Sequence, residues 1–307
     1  MQKLLTIEAP AKINLTLDVL GKRDDGYHEL ETVMHQIDIC DLITLEACPR
    51  GISLTTNSDE IPVGEDNLAY KAALAILKKQ GSGAGVKINI AKNIPVGAGM
   101  AGGSTDAAAV LVGINYLYSY NYSKSQLMEI AATIGSDVAF CLSGKYFEPH
   151  PGFIMSCGST AIARGRGEII SPLPTTYIPF ILVVKPSFEL STASIYAEFD
   201  LSKVSQRPET SIFLQAWANN DLNTISAYMV NVLESVSIRK SPEIGVIKRR
   251  MIELGAINAL MCGSGPSVFA IFSDADVANQ AYSVFKQEYT QVYLVSSYQR
   301  GGAKCAT

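Results

Sequence analysis

Residues 95–111 read PVGAGMAGGSTDAAAVL. Four glycines fall between positions 97 and 103, and an apolar pattern follows at Ala107, Val110, Leu111, Ile114 and Leu117. That spacing predicts a helix that opens at the glycines. Glycine at this density lets backbone bend where side chains would collide. Free N–H groups at a helix N-terminus attract an anion, and phosphate suits them well. A plain turn before a core helix would use the same residues, and the stretch alone does not separate the two readings. It is not a Walker A loop, because no lysine follows the glycines.

The flanking sequence alternates between strand and helix patterns. Ile13, Leu15, Leu17 and Val19 alternate with Lys12, Asn14, Thr16 and Asp18, which predicts a half-buried strand with a polar face. GKRDDG reads as a turn, and residues 30–46 as further strand. Asn67 caps a predicted helix over 68–80. Val86, Ile88 and Ile90 form a strand that leads into the glycine loop. Ser123 and Gln126 make a capping box, and Gly135 suits the C-terminal end of that helix. After about residue 172 the pattern restarts with IPFILVV (178–184). Helices over parts of 210–236, a helix from Ser241-Pro242 to Gly255, two strands joined by GSGP, a helix over 275–288 and a strand near 291–297 complete it. The mixture is α+β, in two halves with an antiparallel-leaning sheet in each.

With 307 residues, 48% of them hydrophobic and 18% charged, the chain can build a large core. A net charge of −4 without a basic stripe makes nucleic acid an unsuitable partner. The cysteines at 40, 48, 141, 157, 262 and 305 have no CxxC pair, which argues against zinc or a disulfide framework. No apolar run reaches membrane-spanning length, and the N-terminus lacks a signal-peptide pattern. A cytoplasmic protein with no membrane partner is the expectation.

Five segments carry polar chemistry: PAKINL (10–15), GYH (26–28), the loop 95–105, GSDVAF (135–140) and GSGPSVF (263–269). Each alone has a bland reading as a solvated strand face, a turn, a helix cap or a hairpin. In this order they resemble the GHMP small-molecule kinases, named for galacto-, homoserine, mevalonate and phosphomevalonate kinases. The resemblance covers essentially the whole chain. Residues 10–41, 94–111, 134–140 and 160–168 are most similar to the branch of that family acting on a cytidyl-methylerythritol.

The resemblance implies a two-domain fold with its active site in the cleft. A ribosomal protein S5 domain 2-like unit would span 1–172, and a ferredoxin-like unit 173–307. It implies ATP as phosphoryl donor, with Mg²⁺. Pro95, Val96, Gly97, Ala98, Gly99, Met100, Ala101, Gly102, Gly103, Ser104 and Thr105 would hold the nucleotide phosphates. Ser104 would also be offered to the metal, and Asn67 and Lys92 would touch the nucleotide. Lys12 and Asp137 would be the catalytic pair. Asn14, Tyr27, His28, Thr192 and Tyr196, with Phe188 as an alternative to Tyr196, would bind a small-molecule substrate bearing a cytidine diphosphate. The expected reaction phosphorylates the 2-hydroxyl of that substrate in isoprenoid precursor synthesis. Another alcohol acceptor, or a ligand sensor without turnover, is the alternative. The protein would act as a monomer or homodimer.

Two departures from the family pattern stand out: residues 143–157, and Ala101 and Asp106 where other members have glycine and asparagine. Asp106 sits where a carboxylate would repel phosphate, so it is expected to point away or towards the metal. Residues 143–157 look like an insertion, read as a surface loop or as a lid near the active site.

Overall fold

The computed structural model describes residues 4–81, 83–174 and 176–300. Two long strands, β1 (Leu4–Lys22) and β2 (His28–Cys48), pair antiparallel along nearly their whole lengths. Around them are β3 (Ile52–Thr56), α1 (Leu68–Gln80), β4 (Gly85–Ala91), α2 (Gly102–Leu117), α3 (Lys124–Ala132) and α4 (Ser136–Cys141). Short strands follow: β5 (Tyr146–His150), β6 (Phe153–Ser156), β7 (Thr160–Gly165) and β8 (Ile169–Pro172). The later half runs β9 (Phe180–Lys185), α5 (Thr192–Glu198), α6 (Thr210–Ala218), α7 (Leu222–Ala227) and β10 (Val230–Asn231). It ends with α8 (Glu234–Lys240), α9 (Glu243–Glu253), β11 (Asn258–Met261), β12 (Val268–Phe272), α10 (Ala275–Lys286) and β13 (Gln291–Val295).

The first sheet has a main path β3-β4-β2-β1-β6-β5, with β7 joined to β2, β8 joined to β7 and the short β10 joined to β1. The second has the order β11-β12-β9-β13 and is antiparallel throughout. Both patterns agree with the mixed α+β reading.

The predicted half-buried strand is instead buried on both faces from Ala9 to Val19. A register shift between Pro10 and Ala11 bends β1. Before the bend, Ile7 and Ala9 pack with α2; beyond it, Ala11, Ile13 and Leu15 pack with Ile181, Val183 and Phe269 of the second sheet. Leu17 and Val19 join a third core, so β1 is shared by three, and its Lys12 and Asn14 line the space between the sheets. Helix α2 lies close on the sheet at Gly113, where a Cβ would come within 2.3 Å of Ile7 Cδ1 and 2.4 Å of Leu45 Cδ1.

Three expectations need correction. Gly135 does not end a helix; α3 ends at Thr133, whose hydroxyl donates to Ile130 O, and Gly135 begins α4 in extended conformation, φ −178°. Residues 143–157 are neither loop nor lid. They form the β5–β6 hairpin, and β6 pairs parallel with β1 at Thr6 and Ile7, extending the sheet. Nor are all cysteines free: Cys157 is disulfide-bonded. Cys40, Cys48, Cys141 and Cys262 are free thiols, and Cys305 lies outside the described residues.

His35 ties the two sheets. Its ring nitrogens hydrogen-bond to Thr160 Oγ1 on β7 and to Ser297 Oγ beyond β13, each at 2.7 Å. Ser297 in turn exchanges hydrogen bonds with the backbone of Ile178. Full burial pushes the imidazole down to about 3 from its ordinary 6.5. The unfolded chain therefore takes up a proton near pH 6.5 that the folded chain refuses until about pH 3. The stability due to neutral His35 is present above pH 6.5 and is lost as pH falls through that window, by about 1.4 kcal/mol per pH unit. Urea unfolding between pH 7 and pH 4 should show this slope, and His35→Gln should reduce it by one proton. An unchanged slope would assign the acid sensitivity elsewhere.

Candidate active site

A cavity of about 890 Å³ opens between the two sheets, and a second of about 310 Å³ lies on the other side of the glycine loop. Gly99 and Ala101 line both. The loop is thus the wall where the cavities meet.

Its backbone suits anions. Gly97 and Gly99 have φ of +62° and +75°. A Cβ on Gly99 would lie 2.2 Å from Cys262 O, so only glycine permits this approach to the GSGP turn. Ala101, the N-cap of α2, is itself left-handed at φ +59°, and no side chain caps the helix. The first-turn N–H groups are consequently available to a ligand. This cradle fits a nucleotide triphosphate. Residues 95–103 all line the smaller cavity, whereas Ser104 lines the larger. Thr105 lines neither; it is buried, and its N–H donates to Ala101 O.

Lys92 and Asn67 border the smaller cavity, but their polar groups have protein partners. Asn67 accepts from Ala69 N at 2.8 Å and donates to Pro62 O at 2.7 Å, the geometry of a helix cap. The Lys92 ammonium contacts Asp41 Oδ2 closely and Asp106 Oδ2 at 3.1 Å, with all three side chains buried. Burial opposes the charge on Lys92, but the two carboxylates outweigh it and keep its pKa raised. Burial, with Asp41 alongside, pushes the Asp106 carboxyl well above the usual carboxylate range. Asp106 therefore faces Lys92 at the base of the loop, and its Oδ1 has no hydrogen-bond partner among the described residues.

In the larger cavity Lys12 and Asp137 meet at 3.5 Å. β1 supplies the lysine, and the start of α4 supplies the aspartate. Lys12 Nζ also donates to Asn14 Oδ1 at 2.7 Å and to Gly99 O at 3.1 Å. Asn14 Nδ2 donates to Thr32 Oγ1, which donates to Thr16 O, so a buried chain of hydrogen bonds sets the ammonium's position. The polar alternation of β1 has its purpose here.

Asn14, Tyr27, His28, Thr192 and Tyr196 line the same cavity, drawn from both halves of the chain. The His28 and Tyr196 rings are 5.0 Å apart. Burial, then Lys22, lowers the pKa of His28, so its imidazole is neutral at pH 7. Burial, then Asp137, raises that of Tyr196, which keeps its phenol protonated. Phe188 packs against the third core, with Leu182 and Val184, and does not line the cavity. Sequence reasoning missed Phe199, 6.4 Å from His28, and Arg166, whose guanidinium lies 5.0 Å from the Tyr27 ring. Phe199 follows Tyr196 by one helical turn, and Arg166 lies between two glycines in ARGRGE. Those positions were the available signals.

Models of the GHMP kinases N terminal domain and the GHMP kinases C terminal match residues 67–145 and 213–291. The chain belongs to the GHMP kinase family, and it is an ATP-dependent kinase. Among its relatives, the 4-diphosphocytidyl-2-C-methyl-D-erythritol kinase of Syntrophomonas wolfei is 53% identical over 97% of this chain and 100% of that one. The enzyme of the same name from Alkaliphilus metalliredigens is 44% identical over 97% and 98%. A crystal structure of 4-(cytidine 5'-diphospho)-2C-methyl-D-erythritol kinase superposes with a TM-score of 0.80 at 31% identity, covering 97% of this chain and 100% of that one. Mevalonate kinase from L. major, at 16% identity and a TM-score of 0.70, shares the fold.

Proposed function

We propose that the protein transfers the γ-phosphoryl group of ATP to the 2-hydroxyl of 4-diphosphocytidyl-2-C-methyl-D-erythritol, in the methylerythritol phosphate route to isoprenoid precursors. The observation that carries this is the junction of two cavities at one glycine loop, with Lys12 and Asp137 beside it. Residues 95–103 would receive the nucleotide from one side, and the larger cavity the acceptor from the other.

Phosphoryl transfer needs alignment and charge compensation more than covalent help. Asp137 receives the proton of the acceptor hydroxyl. Lys12 meets Asp137 at 3.5 Å and offsets negative charge as it builds. Asn14 holds Lys12 in place. Tyr27, His28 and Tyr196 receive the flat cytosine ring, and Thr192 offers a hydroxyl nearby. Among the described residues no cluster of three acidic, histidine or cysteine side chains could hold a metal by itself. The Ser104 hydroxyl suits Mg²⁺ delivered with the nucleotide, which would supply charge neutralisation at the phosphates. The division into 1–172 and 173–307 belongs to the same reading and is supported by strand placement: apart from β10, the strands of the first sheet precede residue 173. No helix among the described residues is long and apolar enough to cross a membrane. A cytoplasmic monomer or homodimer completes the reading.

The test is ADP release from purified protein with ATP, Mg²⁺ and the cytidyl acceptor, beside homoserine, mevalonate and galactose. Turnover with the cytidyl acceptor alone is expected. Turnover only with another alcohol would overturn the acceptor assignment and leave the kinase intact.

A further inference from the structure

We propose that Arg166 and Lys22 bind the diphosphate of the acceptor and so select an anionic substrate over a neutral alcohol. The inference rests on the acceptor reading above. The chain as a whole carries a net charge of −4, yet Lys12, Lys22 and Arg166 line the larger cavity against a single carboxylate, Asp137. Lys12 is already paired with Asp137. Two cations remain that face the cavity without equivalent partners.

Arg166 makes one carboxylate contact among the described residues, a long 3.9 Å approach to Glu168, whose other oxygen accepts the Arg166 backbone N–H at 2.6 Å. Its guanidinium donates no hydrogen bond to a protein atom among those residues. Lys22 ends β1 directly opposite His28 in the ladder and has no carboxylate within ion-pair distance among the described residues. Its effect on His28 agrees with that placement.

The position of Arg166 along the cavity identifies its ligand. On one side the guanidinium covers the Tyr27 ring. On the other, the next residue, Gly167, runs beside the catalytic aspartate: a Cβ there would lie 3.6 Å from Ser136 Cβ and 3.9 Å from Asp137 Oδ1. An acceptor with its base at Tyr27 and His28 and its hydroxyl at Asp137 must pass its middle along Arg166. In a cytidine diphosphate derivative that middle is the diphosphate. A guanidinium presents a planar fork that matches two phosphate oxygens, and a neutral acceptor would leave both cations uncompensated.

The experiment compares CDP and cytidine as competitive inhibitors against the cytidyl acceptor, in wild type, Arg166→Gln, Lys22→Gln and Arg166→Lys. Wild type should bind CDP more tightly than cytidine by about tenfold or more. Arg166→Gln should raise the acceptor KM by about tenfold, with kcat and the ATP KM within about twofold of wild type, while cytidine inhibition stays and the CDP advantage shrinks. Lys22→Gln, at the exposed rim, should do the same by about threefold. Arg166→Lys should restore part of the CDP advantage. Two results would overturn the proposal while the acceptor reading stands: a CDP advantage intact in the Arg166→Gln Lys22→Gln double variant, or equal weakening of CDP and cytidine, which would make Arg166 a mere support for Tyr27. If wild type does not turn over the cytidyl acceptor and uses another alcohol, the acceptor reading falls and this one with it.

Discussion

Asp137→Asn should lower kcat by about a hundredfold to ten-thousandfold, the range that a positioned general base supplies. The amide keeps the shape of the carboxylate at the start of α4 but cannot take the proton of the acceptor hydroxyl. It also loses the charge that Lys12 meets at 3.5 Å. Folding should be little affected, because Asp137 is partly exposed and the remaining Lys12 contacts, to Asn14 and Gly99 O, do not depend on it. The ATP KM should stay near wild type, since the glycine loop is untouched. The effect should therefore lie in kcat, measured under saturating ATP and acceptor, with a thermal melt to confirm the fold. Turnover within tenfold of wild type would remove Asp137 from the proton transfer.

Lys92→Met should produce the largest loss of stability, about 3–5 kcal/mol by urea unfolding. Lys92 is the cation between Asp41 and Asp106, and the two carboxylates are almost wholly buried. Removing it leaves uncompensated acids in the interior, which costs more than the pair contributes when intact. Asp41 also accepts from the backbone N–H groups of Asn93 and Ile94, at 2.6 and 2.8 Å, so disturbance there would reach the chain leading to the loop. Gly102 is the point of contact on the other side: a Cβ there would lie 3.0 Å from Lys92 Nζ. Loss of stability should thus be accompanied by a raised ATP KM. A variant destabilised by less than about 1 kcal/mol would mean that the acids are neutralised without the lysine.

The contrast between these two residues shows what could be read beforehand. Asp137 stands out in GSDVAF because its motif is local and contiguous. Lys92 follows an alternating strand and reads as an exposed end or a nucleotide contact; its acids come from β2 and α2, far away in sequence. The helix at 68–80, the Ser123–Gln126 capping box and the glycine-led α2 were legible because their signals lie within one or two turns. The hairpin at 143–157 was not. Its β6 gains order from pairing with Thr6 and Ile7 of β1, and Pro149 beside Gly152 obscures the strand pattern. Tyr27, His28 and Tyr196 line one cavity; family likeness had grouped them, whereas spacing alone would not have joined Tyr196 to a turn so far upstream.

By itself the sequence determined most of the periodic elements, the Asn67 and Ser123 caps, the glycine loop that opens α2 and the family to which the chain belongs. These follow from dihedral freedom, side-chain period and contiguous motifs, all of which act over a few residues. Only the tertiary structure decided that β1 would be buried on both faces, that Lys92 would be held by two acids, and that Arg166 and Phe199 would meet the rings of Tyr27 and His28. Those outcomes depend on which surfaces are removed from water together when the two sheets close on β1. Burial and charge pairing across the cleft come into existence only with that packing.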